Sequence, residues 1–158
     1  AGELGLLDAG AEWGVPPALG DLKRRFLLFE LVRRVQAELP HEQAFRLADA
    51  LRDLIDELDQ EDVPVTALAG LEAGDAPAHW QRIAAFLDVL AGSWGAIEGE
   101  EGGIGRVARR GRLLKEVARR WAARDPGPVV VAGVTGSVPA VAALMATVAA
   151  SPDRKSVV

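Results

Sequence analysis

Apolar residues recur at helical spacing through most of this chain. Leu4, Leu7 and Ala11 predict a short helix over 3–12, broken by Gly14-Val15-Pro16-Pro17. A second helix is expected over about 22–39, with Asp21 as its cap. Its stripe runs through Leu22, Phe26, Phe29, Val32 and Leu39, widened by Leu27, Leu28 and Leu31. Pro40 separates it from a third helix over about 41–61. There Ala44, Leu47, Ala48, Leu51, Leu54, Ile55 and Leu58 hold one face, and Asp49, Arg52, Asp53, Asp56 and Glu57 the other. Val63-Pro64 should stop this helix, and Thr66 should cap a single turn through Leu71. After the loop Gly74-Asp75-Ala76-Pro77, a helix over about 77–98 carries Trp80, Ile83, Ala84, Leu87, Leu90, Trp94 and Ile97. A flexible turn is expected at 99–103. A last long helix, about 105–124, then turns Val107, Leu114, Val117, Ala118 and Trp121 inward before the stop at Asp125-Pro126-Gly127-Pro128.

The pattern changes at Pro128-Val129-Val130-Val131-Ala132-Gly133-Val134-Thr135-Gly136-Ser137-Val138-Pro139-Ala140. It reads as a buried apolar strand, a glycine-rich turn and a proline-opened helix over 139–150. The expected fold is therefore mainly α. A bundle of antiparallel neighbouring helices over 1–126 is followed by one strand-turn-helix unit of a parallel α/β sheet over 127–150. The other strands of that sheet are expected outside this chain, as in a piece of a longer protein that opens inside a helical pattern at Ala1. Residues 151–158 form a polar tail. Its Asp153-Arg154-Lys155-Ser156-Val157-Val158 resembles an in-frame translation of a sequencing adapter and is set apart from the fold.

Composition narrows the function classes. The 158 residues suffice for a real core, and there is no cysteine for disulfides, thiolate metal sites or thiol nucleophiles. Two isolated histidines, His41 and His79, are too few for a zinc site. The longest apolar stretch, 138–150, is too short to cross a bilayer, and no signal-peptide pattern opens the chain. A cytoplasmic location is expected. Charge is uneven: residues 1–105 carry eight Lys and Arg against twenty Asp and Glu, whereas 106–124 carry eight basic residues against Glu116 alone.

Gly133, Thr135, Gly136 and Ser137 stand where a phosphate-binding turn would. The turn has no lysine, and its spacing fits neither common phosphate-loop pattern; the competing reading is a tight strand-to-helix connection. Ala132 and Gly133 end the strand, where helicase-type ATPases keep magnesium-binding acids. On the basic helix Arg112, Lys115 and Arg119 share one flank, with Arg109 and Arg120 alongside. Such a stripe suits a DNA backbone, a solvated face or an acidic protein. Lys23, Arg24 and Arg25 pose the same choice. Trp80, Trp94 and Trp121 read as core. Asp56/Glu57 and Glu100/Glu101 read as solvated pairs. No catalytic or metal-binding residue is assigned.

Several stretches resemble the alphaproteobacterial form of the double-strand break repair family AddB. They are Val15-Pro16-Pro17-Ala18, the run Ala48 to Glu61, His79-Trp80-Gln81 with Phe86-Leu87, and Val131 to Ala140, which is similar to the family's A-G-S-T-G-S-I-P-A stretch. Val134 departs from it where a small polar residue is expected. The resemblance spans about residues 3–150. It implies a role in a heterodimeric helicase-nuclease with an AddA-like subunit that processes broken DNA ends for recombination. Residues 1–126 would be the helical insertion of a helicase-like core without working ATPase motifs, and 128–150 its return to the sheet. ATP would act at the partner subunit and Mg2+ in a nuclease domain absent from this chain. Two other readings remain at this point: a helical protein-interaction module without a nucleic-acid role, and a nucleotide-binding start at 128–140.

Overall fold

The computed structural model describes residues 10–69, 78–124, 127, 129–150 and 155–156, without the side chains of 78–80, 82, 155 and 156. The chain is mainly helical. Five longer helices are α1 Asp21–Val35, α2 His41–Gln60, α3 Ala78–Glu100, α4 Arg106–Ala123 and α5 Pro139–Ala149. A 3-10 turn spans Val65–Leu68, and two short strands are β1 Val130–Val131 and β2 Lys155–Ser156. Most of the helix expected over 3–12, Leu71, the 74–77 loop and most of the tail lie outside the described residues.

The buried line of α1 is Arg24, Leu28, Leu31 and Val32. The expected stripe is thus rotated: Leu22 is 65% and Phe26 48% exposed. The cause is Arg24, whose guanidinium is drawn inward to Asp56. Asp21 does not cap the helix. It lies inside the first turn after Gly20, where its carboxylate complements the helix dipole and meets Arg106 at 2.8 Å. The helix stops at Val35, short of the expected 39, because Arg33 turns back to donate to the carbonyls of Ala37 and, at 2.6 Å, Leu39.

α1 and α2 run antiparallel, since Phe29 meets His41 and Phe45 while Arg24 meets Asp56. α2 buries Ala44, Ala48, Leu51 and Ile55, the face its periodicity predicts. It ends in a left-handed residue, Asp62 at φ 60°. The Val63 N–H donates to the Leu58 carbonyl at 2.8 Å and the Asp62 N–H to that of Asp59 at 3.3 Å. The following turn is led by Pro64, with Thr66 inside it and no side-chain cap. α3 adds Phe86, Leu90 and Trp94 to the core formed by α1 and α2.

The expected flexible turn at 99–103 is fixed instead. Gly99 and Glu100 are the last residues of α3, and Gly102 at φ 64° closes it. Ile104 then bridges in parallel to Ala18: the Leu19 N–H donates to the Ile104 carbonyl at 2.8 Å and the Ile104 N–H to that of Pro17 at 3.0 Å. α4 packs mainly on α5 and α2 rather than on α3, its neighbour in sequence. Its buried line is Arg109, Leu113, Val117 and Ala118, while Val107, Leu114 and Trp121 are half-buried.

The expected buried strand is the largest departure. Only Val130 and Val131 are extended in a ladder, and Val130 is 70% exposed. They pair in parallel with Lys155 and Ser156, residues expected to stand apart from the fold. Among the described residues, no helix is long and apolar enough to cross a membrane.

Candidate functional site

Most of the basic residues on α4 are engaged within the chain. Arg106 meets Asp21, and Lys115 meets Asp62 across the end of α2. Glu116 receives Arg119 at 2.6 Å and Arg120 at 2.8 Å, about one turn away on the same helix. The hydrogen bond from Arg119 and then that from Arg120 hold the Glu116 carboxyl down at about 2. Arg120 also lies over the Trp13 ring, 4.6 Å from its centroid.

Of the five expected DNA contacts, Arg112, Lys115, Arg119 and Arg120 are exposed along the helix. Arg109 is not among them. It is 8% exposed, packs against Gly10 and donates from Nε to the Pro16 carbonyl at 3.2 Å. Arg110, Arg112 and Arg124 are exposed and form no ion pair with another described residue. The Lys23-Arg24-Arg25 cluster is dispersed as well. Consecutive residues on a helix point about 100° apart, so Lys23 reaches Glu101, Arg24 Asp56 and Arg25 Asp49.

Behind α4 lies a group of charges that no motif in the sequence announces. Arg24 is 1% exposed and donates from Nη1 to Asp56 Oδ1 at 2.7 Å. Its guanidinium sits against Gly105, where an added Cβ would stand 3.0 Å from the guanidinium carbon. Glu98 Oε1 accepts from the Gly105 N–H at 3.1 Å. Burial, then the charge of Glu98, pushes the Asp59 carboxyl up to about 6 against the pull of Arg24 and Arg112. Burial raises Glu98 too, opposed first by the Gly105 N–H and then by Arg24 and Arg112. Asp59, Arg112 and Lys115 also line a cleft of about 270 Å³ between the end of α2 and α4, with Gly111 at its side.

The turn at 133–137 has Gly133 at φ 72° and Gly136 at φ 68°, conformations natural to glycine. The Thr135 and Ser137 hydroxyls lie 3.1 Å apart and bond one another. Pro139 occupies the first turn of α5 and removes one of the backbone N–H groups that an anion would meet there. With no lysine in the turn, these residues do not suit a nucleoside triphosphate.

No family model, curated protein or solved structure matches this chain.

A signal for these inward charges is present in the helical periodicity. Arg24, Leu28 and Val32 form one i, i+4 line; so do Leu51, Ile55 and Asp59, then Leu90, Trp94 and Glu98, and Arg109, Leu113 and Val117. Each line is apolar except at one end, where a charged residue continues the inward face. Trp94 is buried in the core as its stripe predicts, whereas the Trp80 and His79 side chains lie outside the described residues. His41 is exposed at the first position of α2 and leans on Phe29.

Proposed function

We propose that this chain is a non-catalytic scaffold segment of an AddB-like subunit, acting with an AddA-like partner in a helicase-nuclease that processes double-strand DNA breaks. In this reading residues 1–126 are a helical insertion, and β1, the turn and α5 are its return to a parallel α/β core. ATP is handled by the partner and Mg2+ by a nuclease domain outside this chain. The observation that carries the reading is the segment Val131 to Ala140. It keeps a strand-turn-helix path with two left-handed glycines and a proline-opened helix, yet presents Ala132 and Gly133 at the strand's end and no lysine in the turn.

DNA is met through phosphates rather than bases, at the exposed arginines of α4 and its C-terminal end, Arg110, Arg112 and Arg124, which are free of ion pairs with described residues. The test uses the intact two-subunit complex and duplex DNA. Changing all three arginines to alanine is expected to weaken binding and to flatten the salt dependence by about 0.9 in log–log slope for each phosphate no longer neutralised. An unaltered slope would remove α4 from the DNA interface. Binding of ATP to the full-length subunit alone, abolished on changing Gly136, would favour a nucleotide-binding turn instead.

A further inference from the structure

Two clefts lie side by side along α4 and share Asp59, Asp62, Gly111 and Lys115 in their walls. The first, of about 270 Å³, adds Arg112. The second, of about 110 Å³, reaches α5 and is lined on its apolar side by Val107, Leu114, Val138 and Val141. They adjoin at Gly111, an interior residue of an 18-residue helix, where a Cβ would meet nothing within 4 Å. Apart from proline, glycine is the poorest helix former, and no crowding among the described residues calls for it there.

The charges of the first cleft are only half paired. Asp62 and Lys115 bond each other. Asp59 and Arg112 line the same space, yet neither side chain makes a hydrogen bond or ion pair with another described residue. The charge of Arg112 nevertheless reaches Asp59 and favours its ionised form. Asp59 also lies in the last turn of α2, the negative end of that helix, where α2 supplies no basic residue of its own. That end favours a cation, and the Arg112 guanidinium favours an oxyanion.

We propose that Asp59, Gly111 and Arg112 form a binding site for a small aliphatic α-amino acid. Its ammonium meets Asp59 and its carboxylate meets Arg112. Its side chain passes over Gly111 into the apolar cleft, against Val107, Leu114 and Val141. Ligands of one sign fit the lining less well. A simple anion is opposed by Asp59 and Asp62, and a simple cation by Arg112 and Lys115. An uncharged apolar molecule would take water from Asp59 and Arg112 and return no hydrogen bond to either. A molecule that carries both signs and a short apolar arm answers all three parts of the lining.

The experiment uses the full chain without DNA. Arg112 also belongs to the proposed DNA edge, and in this way the two readings fail separately. L-Leucine is titrated while the Gly111 and Lys115 amides are followed by NMR. The pH is slightly alkaline, above the value of about 6 to which the Asp59 carboxyl is pushed. A saturable shift in the millimolar range is expected. Isocaproate lacks the ammonium, isoamylamine lacks the carboxylate, and free glycine lacks the side chain. Each should bind about tenfold or more weakly than leucine. Arg112→Gln and Asp59→Asn should weaken leucine binding to a similar extent. Gly111→Leu favours the helix and fills the place where the clefts adjoin, so it should abolish binding. This last variant keeps the test decisive if Asp59→Asn fails to fold. The site is overturned if leucine gives no saturable shift, if either one-charge analogue binds as tightly as leucine, or if Gly111→Leu binds leucine undiminished.

Discussion

Arg109 donates from Nε to the carbonyl oxygen of Pro16, 93 positions earlier, at 3.2 Å. The contact ties the segment before α1 to the first turns of α4. It also explains why a residue in the most basic stretch of the chain is turned inward: Gly10 leaves the space that the guanidinium fills.

Arg109→Ala should accordingly act on stability and not on DNA. Removing a buried charged donor predicts a destabilisation of about 2 kcal/mol in urea unfolding. The salt slope of DNA binding by the intact complex should stay at its wild-type value. A slope flattened to the extent expected for Arg112→Ala would place Arg109 at the interface after all.

The rotation of α1 makes a paired prediction. Leu28→Ala removes a fully buried side chain and should cost about 2–5 kcal/mol. Leu22→Ala, on the exposed side, should stay within about 0.5 kcal/mol. Equal destabilisation by the two would restore the stripe through Leu22 and Phe26 that the bare spacing suggests.

Gly103 is required by space. A Cβ there would stand 2.8 Å from the Leu19 side chain and 3.0 Å from the Pro17 carbonyl oxygen. The second neighbour is backbone and cannot swing aside. Gly103→Ala should break the bridge between Ala18 and Ile104 and lower thermal stability, with an unfolding free energy reduced by about 1–3 kcal/mol. Gly99→Ala, where a Cβ meets nothing within 4 Å, is the matched control and should be neutral or stabilising.

Asp62 holds a left-handed conformation that glycine adopts without strain. Asp62→Gly removes that strain and also the exposed ion pair with Lys115, which contributes little in solvent. The net change in unfolding free energy should lie between zero and about +1 kcal/mol. A drop of several kcal/mol would show that the Lys115 pair fastens α2 to α4 far more strongly than exposed pairs do.

The helices are legible in the sequence where the buried positions are all apolar, as in α2, whose Ala44, Ala48, Leu51 and Ile55 are all buried. They are misleading where a charge lies on the inward face. Arg24 rotates α1 and Arg109 rotates α4, and periodicity that counts only apolar residues averages over both. Helix ends escape for a related reason. Arg33 stops α1 through its side chain, and Asp62 stops α2 through a backbone conformation rare outside glycine and asparagine. The basic run of 106–124 is plain in the sequence, but its neutralisation is not, because Asp21 and Asp62 approach it only through the tertiary packing. At 128–140 the order strand, turn, helix is readable; the exposure of Val130 and its pairing with Lys155 are not.

The link from Glu98 to Arg106 is glycine-rich, and such links usually tolerate insertions and deletions at small entropic cost. Here it works as a ruler. Gly103 must fall against Pro17 and Leu19, and Gly105 must fall both under Arg24 and within reach of Glu98. Adding or removing one residue would shift all three out of step at once. A homologous chain with the same fold should therefore vary the composition of this link before it varies its length.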